Sequence, residues 1–175
     1  AENDETVWIS NGDYVLTNPV TVDRNISLVG TGGVAVVDGD GQYRCFYFSQ
    51  TATGALENLF ITRGYCDGEG GGVWMSNGLV QKCTFSNNTA TSHGGGLSTY
   101  GVVRECTFVA NTSVSGYGGG LSQGGRDSAL VDGSLFYTNR ANNGGGMRIN
   151  GTCLVTNCDL ISNVATGNDA VGGGL

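Results

Sequence analysis

Few residues in this 175-residue chain are of the types that do most enzyme chemistry: one histidine, His93, one lysine, Lys82, and six cysteines at positions 45, 66, 83, 106, 153 and 158. A single His and the Cys153–Cys158 spacing offer no zinc set, because zinc needs several Cys or His ligands in close pairs. Hydrolysis of a glycoside usually needs two carboxylates about 5–9.5 Å apart across one groove. Among the acidic residues, Asp67, Glu69 and the Asp38/Asp40 pair could bind calcium together with backbone oxygens. Turn chemistry explains them more simply. No cofactor is therefore expected, and calcium lacks support. Arg148 reads as a solvated surface cation and His93 as a turn residue. The side chains that most suggest ligand binding are aromatic: Trp74 and Tyr100, an exposed pair able to stack on a sugar ring.

The elements that position these residues follow from a repeat. Glycine supplies 32 residues, about 18% of the chain against a usual share of roughly 7%. Gly triplets begin at Gly70, Gly94, Gly118, Gly144 and Gly172, spaced 24, 24, 26 and 28 residues apart, each followed by Val73, Leu97, Leu121, Met147 or Leu175. Such periods mark a solenoid, in which each unit buries its apolar face against its neighbours. Within the units, Leu79–Phe85 aligns with Val102–Phe108, Leu130–Phe136 and Leu154–Leu160, and more weakly with Ala55–Ile61. Apolar residues alternate with others there, as in a strand with one buried face. The pairs Glu57-Asn58, Gln81-Lys82, Arg104-Glu105, Asp132-Gly133 and Thr156-Asn157 read as tight corners between strands.

Three residues beyond each large apolar side chain stand Gly64, Asn88, Asn111, Asn139 and Asn163. Gly and Asn most readily adopt left-handed backbone, so this column is expected to form turns with positive φ. It also permits a ladder of amides bonded from unit to unit. A unit of about 24 residues fits three strands of roughly five residues each and three turns, stacked in parallel at about 4.8 Å per unit. The expected fold is all-β: a parallel β-helix, right-handed as parallel crossovers nearly always are, of about seven coils and about 34 Å in length. Residues 1–175 form one β-helix domain in this reading, with irregular coils over 1–54 and regular Gly-rich repeats over 55–175. Val20–Val22, Ile26–Leu28, Val34–Val37 and Phe46–Phe48 are strand-like, and Asp38-Gly39-Asp40-Gly41 is a turn. In the repeats Cys83, Cys106 and Cys158 share an inward column with Ser134. Buried free thiols suit that column as small hydrophobes; the alternative is one or two bridges elsewhere, Cys45–Cys66 among them.

Predicted outward columns carry little chemistry. One reads Phe60, Thr84, Thr107, Leu135 and Asp159; the other reads Trp74, Ser98, Ser122 and Arg148. A net charge of −7 argues against a nucleic-acid partner, and there is no apolar run of about 18 residues to insert in a membrane. Solenoid ends need caps, and both ends of this chain read as open faces, so the segment is expected to belong to a longer chain.

The triplets and the runs Phe85-Ser86-Asn87-Asn88, Phe108-Val109-Ala110-Asn111 and Phe136-Tyr137-Thr138-Asn139 resemble the repeats of chlamydial polymorphic outer-membrane proteins. Those repeats carry Gly-Gly-Ala followed by Ile, Leu or Val, and Phe-x-x-Asn; similar ones occur in secreted bacterial proteins of the pectate-lyase-like β-helix superfamily. The likeness covers residues 55–175. This chain departs from it with Gly in place of Ala and with Leu160-Ile161-Ser162-Asn163 in place of a Phe run. The resemblance implies an extracellular or cell-surface location and a non-enzymatic role as adhesin, passenger or filament segment. Partners would be an extracellular glycan, a host or cell-surface protein, or further copies joined end to end. The superfamily also contains polysaccharide lyases and hydrolases, so a polysaccharide-binding or -degrading module is the alternative. Ser92-His93-Gly94 resembles the Gly-His-Gly of polygalacturonases, but the accompanying Asp motifs are absent.

Overall fold

A computed structural model of the protein describes residues 5–125, 128–167 and 172–175. The Ala1–Asp4 stretch, read above as part of an open end, lies outside the described residues. No helix is present among the described residues, and every strand pairing is parallel. The chain is a β-solenoid of about seven coils with spacing near 24 residues, as the repeat predicts.

Three sheets run along the solenoid. Six strands, Val20–Val22, Phe46–Phe48, Val73–Met75, Leu97–Thr99, Leu121–Gly124 and Met147–Asn150, form one wall. Five two-residue strands at Tyr65–Cys66, Thr89–Ala90, Thr112–Ser113, Arg140–Ala141 and Val164–Ala165 form the narrowest. The twelve-stranded wall is organised around Ile26–Asp38, which pairs with Glu5–Val15 on one side. On its other side the N-terminal half pairs with Ala55–Glu57 and the C-terminal half with Leu59–Thr62. In later coils the same break separates Leu79–Gln81 from Thr84–Ser86, Val102–Arg104 from Thr107–Val109, Leu130–Asp132 from Leu135–Tyr137, and Leu154–Thr156 from Asp159–Ile161. A regular coil thus holds four strands of two to four residues rather than three of about five. The corner pairs cause the break: Asn58, Lys82, Glu105, Gly133 and Asn157 all have φ between 49° and 59°, which turns the strand and ends its ladder.

Side chains of one kind stack inside. Phe85 and Phe108 lie 4.8 Å apart and Phe108 and Phe136 4.7 Å apart, ring on ring, and all three are fully buried. Ring separation equals coil separation, because in-register strands place equivalent residues directly above one another. Leu56, Val80, Val103 and Val131 form a second buried column, and Val73, Leu97, Leu121 and Met147 a third.

The Gly triplets let backbone meet backbone. Their first members, Gly70, Gly94, Gly118, Gly144 and Gly172, have φ between 57° and 68°. A side chain on the third member would strike the next coil: a Cβ on Gly96 would lie 2.6 Å from the Gly120 carbonyl oxygen.

The Gly64/Asn column differs from expectation in one respect. Positive φ falls one residue earlier, on Arg63, Asn87, Ala110, Thr138 and Ser162. The Asn residues themselves point inward, and their amides form a ladder. The Asn88 Nδ2–H donates to Asn111 Oδ1 at 2.9 Å, Asn111 to Asn139 at 2.9 Å, and Asn139 to Asn163 at 3.0 Å. Each Oδ1 also accepts a backbone N–H of the preceding coil, as at Gly64 and Asn88. Holding the amide inside requires ordinary backbone at that position, so the left-handed turn is displaced to the preceding residue, whose side chain needs no buried seat.

Candidate functional site

The outer face of the six-stranded wall gathers the side chains capable of recognition. Register places Thr21, Tyr47, Trp74, Ser98, Ser122 and Arg148 in one outward column. Alternation decides this: their strand neighbours Phe46, Val73, Leu97, Leu121 and Met147 fill the core.

Trp74 stacks on Tyr47 at 5.2 Å with an interplanar angle of 22°. Arg44 also lies over Tyr47, its Cζ 5.3 Å from the ring centre. Its guanidinium is held by the carbonyls of Gly70 and Glu69, at 2.9 and 2.6 Å, and by the Cys66 sulfur at 2.6 Å. The expected partner of Trp74 was Tyr100; the ring it meets is that of Tyr47. Tyr100 instead lies across Gly124, where an added Cβ would fall 2.0 Å from the ring. The missing side chain of Gly124 is therefore the seat of Tyr100, 38% exposed.

A narrow polar cleft beside Tyr100 is lined by Glu69, Ser98, Tyr100, Ser122, Arg148 and Asn150. The Ser98 hydroxyl donates to Glu69 Oε2 at 3.1 Å. Arg148 is not the solvated cation expected from sequence: it is partly buried, with its Cζ 4.8 Å from the Tyr117 ring centre. An adjoining depression of about 320 Å³ continues past Arg148 to Tyr117 and Asn143. His93 stacks on Tyr117 at 5.0 Å, and its Nδ1 accepts the Tyr117 backbone N–H at 3.1 Å. That bond leaves the proton of the neutral ring on Nε2. Burial lowers the His93 pKa below its ordinary value; Glu69 opposes this and Arg148 adds to it. The imidazole is accordingly neutral near pH 7.

Carboxylates read as possible calcium ligands have other partners. Asp38 receives the Arg63 Nε at 2.9 Å and the Nη2 at 2.5 Å, and Asp40 lies 3.5 Å from the same guanidinium. Asp67 accepts the Thr91 hydroxyl at 2.9 Å. Among the described residues no group of three or more His, Cys, Asp or Glu is placed to hold a metal ion.

All six cysteines are free. Cys45 faces the carbonyls of Val37 and Thr62 while Cys66 faces Arg44, so the Cys45–Cys66 bridge does not form. Burial pushes the Cys45 and Cys83 thiols up to about 12, and Cys106 well above the ordinary range. Even beside Arg44, the Cys66 pKa is raised, because burial outweighs the guanidinium. Cys45, Cys83 and Cys106 pack in the core, and burial disfavours the thiolate in all four.

Sequence reasoning missed Tyr47, Arg44 and Tyr117 as members of this face. Phe46-Tyr47-Phe48 alternates in a way that turns Tyr47 outward, but only its register with Trp74 shows that the two meet. Compared with known proteins, the chain matches no protein-family model, no curated protein and no solved structure.

Proposed function

We propose that this chain is a non-enzymatic, extracellular or cell-surface β-solenoid rod that adheres to glycan through the outer face of its six-stranded wall. One observation carries the reading: the Tyr47–Trp74 platform lies in the same column as Ser98, Ser122 and Arg148, with Glu69 bonded to Ser98 beside it. An aromatic platform covers the C–H face of a pyranose, and the Glu69 carboxylate, Asn150 amide and Arg148 guanidinium meet its hydroxyls, while the buried Ser98 and Ser122 back that surface. Among the described residues Glu69 is the one carboxylate lining the cleft, whereas acid–base hydrolysis of a glycoside uses two. The resemblance of the Phe-x-x-Asn and Gly-triplet repeats to those of surface-displayed proteins supports the location.

A glycan array read alongside a reducing-sugar release assay tests this. The expected result is binding without turnover, abolished in Trp74→Ala while the melting temperature stays within a few degrees. Release of reducing ends from any polysaccharide, or a blank array, overturns it.

A further inference from the structure

Each regular repeat opens its first wall strand with two successive apolar residues, and alternation admits only one of them to the core. Leu56, Val80, Val103 and Val131 enter it and are fully buried. Their predecessors Ala55, Leu79, Val102, Leu130 and Leu154 are in register with one another and form an outward aliphatic stripe along the rod. Leu79, Val102 and Leu130 are partly buried, Ala55 is 9% and Leu154 62% exposed, and an open groove of about 490 Å³ runs past Ala55, Leu79 and Val102. Neither packing nor the glycan face accounts for these side chains, and water-facing aliphatic residues in a continuous line mark a contact surface.

We propose that the stripe pairs two copies of this chain side by side in antiparallel orientation. Two observations select a second copy. First, the stripe presents a side chain at each coil, about 4.8 Å apart, and a partner with the same rise meets it without losing register. Second, the flanking outward column, Glu57, Gln81, Arg104, Asp132 and Thr156, is self-complementary in charge. Consider a two-fold axis lying in the interface, along the strands and midway between the coils of Val102 and Leu130. It sets Val102 against Leu130 of the other copy and Leu79 against Leu154. It also sets Arg104 against Asp132, twice over by symmetry. The four coils so paired, over a width of about 20 Å, bury roughly 400 Å² per copy, or about 800 Å² in all, the size of a weak, reversible association.

Sedimentation equilibrium across a concentration series tests the pairing, with circular-dichroism melts to show that each variant is folded. The wild-type chain should dimerise. Val102→Glu and Arg104→Asp should each raise the dimer dissociation constant by about tenfold or more. Arg104→Asp combined with Asp132→Arg should restore dimers, because the swapped charges again face each other. Wild-type chain that stays monomeric overturns the proposal, whether or not it then sediments with phosphatidylcholine vesicles. So do dimers that persist unchanged in Val102→Glu and Arg104→Asp, since these would be joined elsewhere, for example end to end.

Discussion

The twelve-stranded and six-stranded walls enclose one core but use repetition differently. On the first, the inward column Ile61, Phe85, Phe108, Phe136 and Leu160 keeps one large apolar side chain at each level. On the second, the inward column passes from Met75 to Thr99, Gln123 and Ile149, with Thr99 and Gln123 almost wholly buried. Those polar groups are used locally: the Thr99 hydroxyl accepts the Gly101 N–H, and the Gln123 Nε2 donates to the carbonyls of Gly101 and Gly124. Gln123 Oε1 has no partner, so this arrangement costs stability that an apolar residue would not. What it fixes is the strand end at Gly124, which seats Tyr100. Where the chain repeats one solution it holds the fold, and where it departs it shapes a surface.

Removing a member of the invariant column should have the largest effect. Phe108→Ala deletes both ring stacks and leaves a sealed cavity, at a cost of about 3–5 kcal/mol. Chemical denaturation measures it, and an unchanged midpoint would break the distinction between the walls. Asn111→Ala should cost less, about 1–3 kcal/mol, by orphaning the Asn88 N–H and the Phe85 carbonyl. On the six-stranded wall Trp74→Ala forfeits one partly exposed stack, about 0.5–1.5 kcal/mol, yet should remove glycan binding. A melt paired with a binding titration separates the two readouts.

The smallest effect lies at the stripe's edge. Hydrogen bonds from Thr156 and Asn157 hold the Asp132 carboxyl below its ordinary pKa. A carboxylate depressed on folding contributes stability above its unfolded value, and that contribution disappears as pH falls through the folded one. Thr156→Val should therefore raise the Asp132 pKa in an NMR titration. It should also lower the melting temperature slightly at neutral pH and not at all in strong acid.

The regular half of the fold was legible because a solenoid repeats by translation. The Phe and Cys columns, the triplets and the corner pairs recur at matching offsets, so alignment of the chain with itself reveals them. Positive φ was placed one residue late since Gly64 and Asn88 tolerate left-handed backbone just as readily as they serve an amide ladder. Composition cannot choose between those roles; the inward direction of the amide does. The corner at Asn58 is legible in the Glu57-Asn58 pair; the strand count falls one short because strands such as Thr89–Ala90 have only two residues, too few to show an alternation. Trp74 and Tyr100 were identified from their outward positions. Tyr47 and Arg44 are not legible because their coil precedes the first triplet, and Glu69 reads as a possible calcium ligand and not as the partner of Ser98 because that bond spans 29 residues of chain.

The Gly triplets have a mechanical consequence. Along that line, coils meet largely through peptide groups, with amide–carbonyl bonds such as Gly72 to Gly95 and Gly96 to Gly119. Side chains can yield by changing rotamer, but stacked peptide planes cannot. This seam should therefore resist compression as a stiff keel, while the walls packed with flexible residues take up bending. A solenoid built this way would bend about its glycine edge.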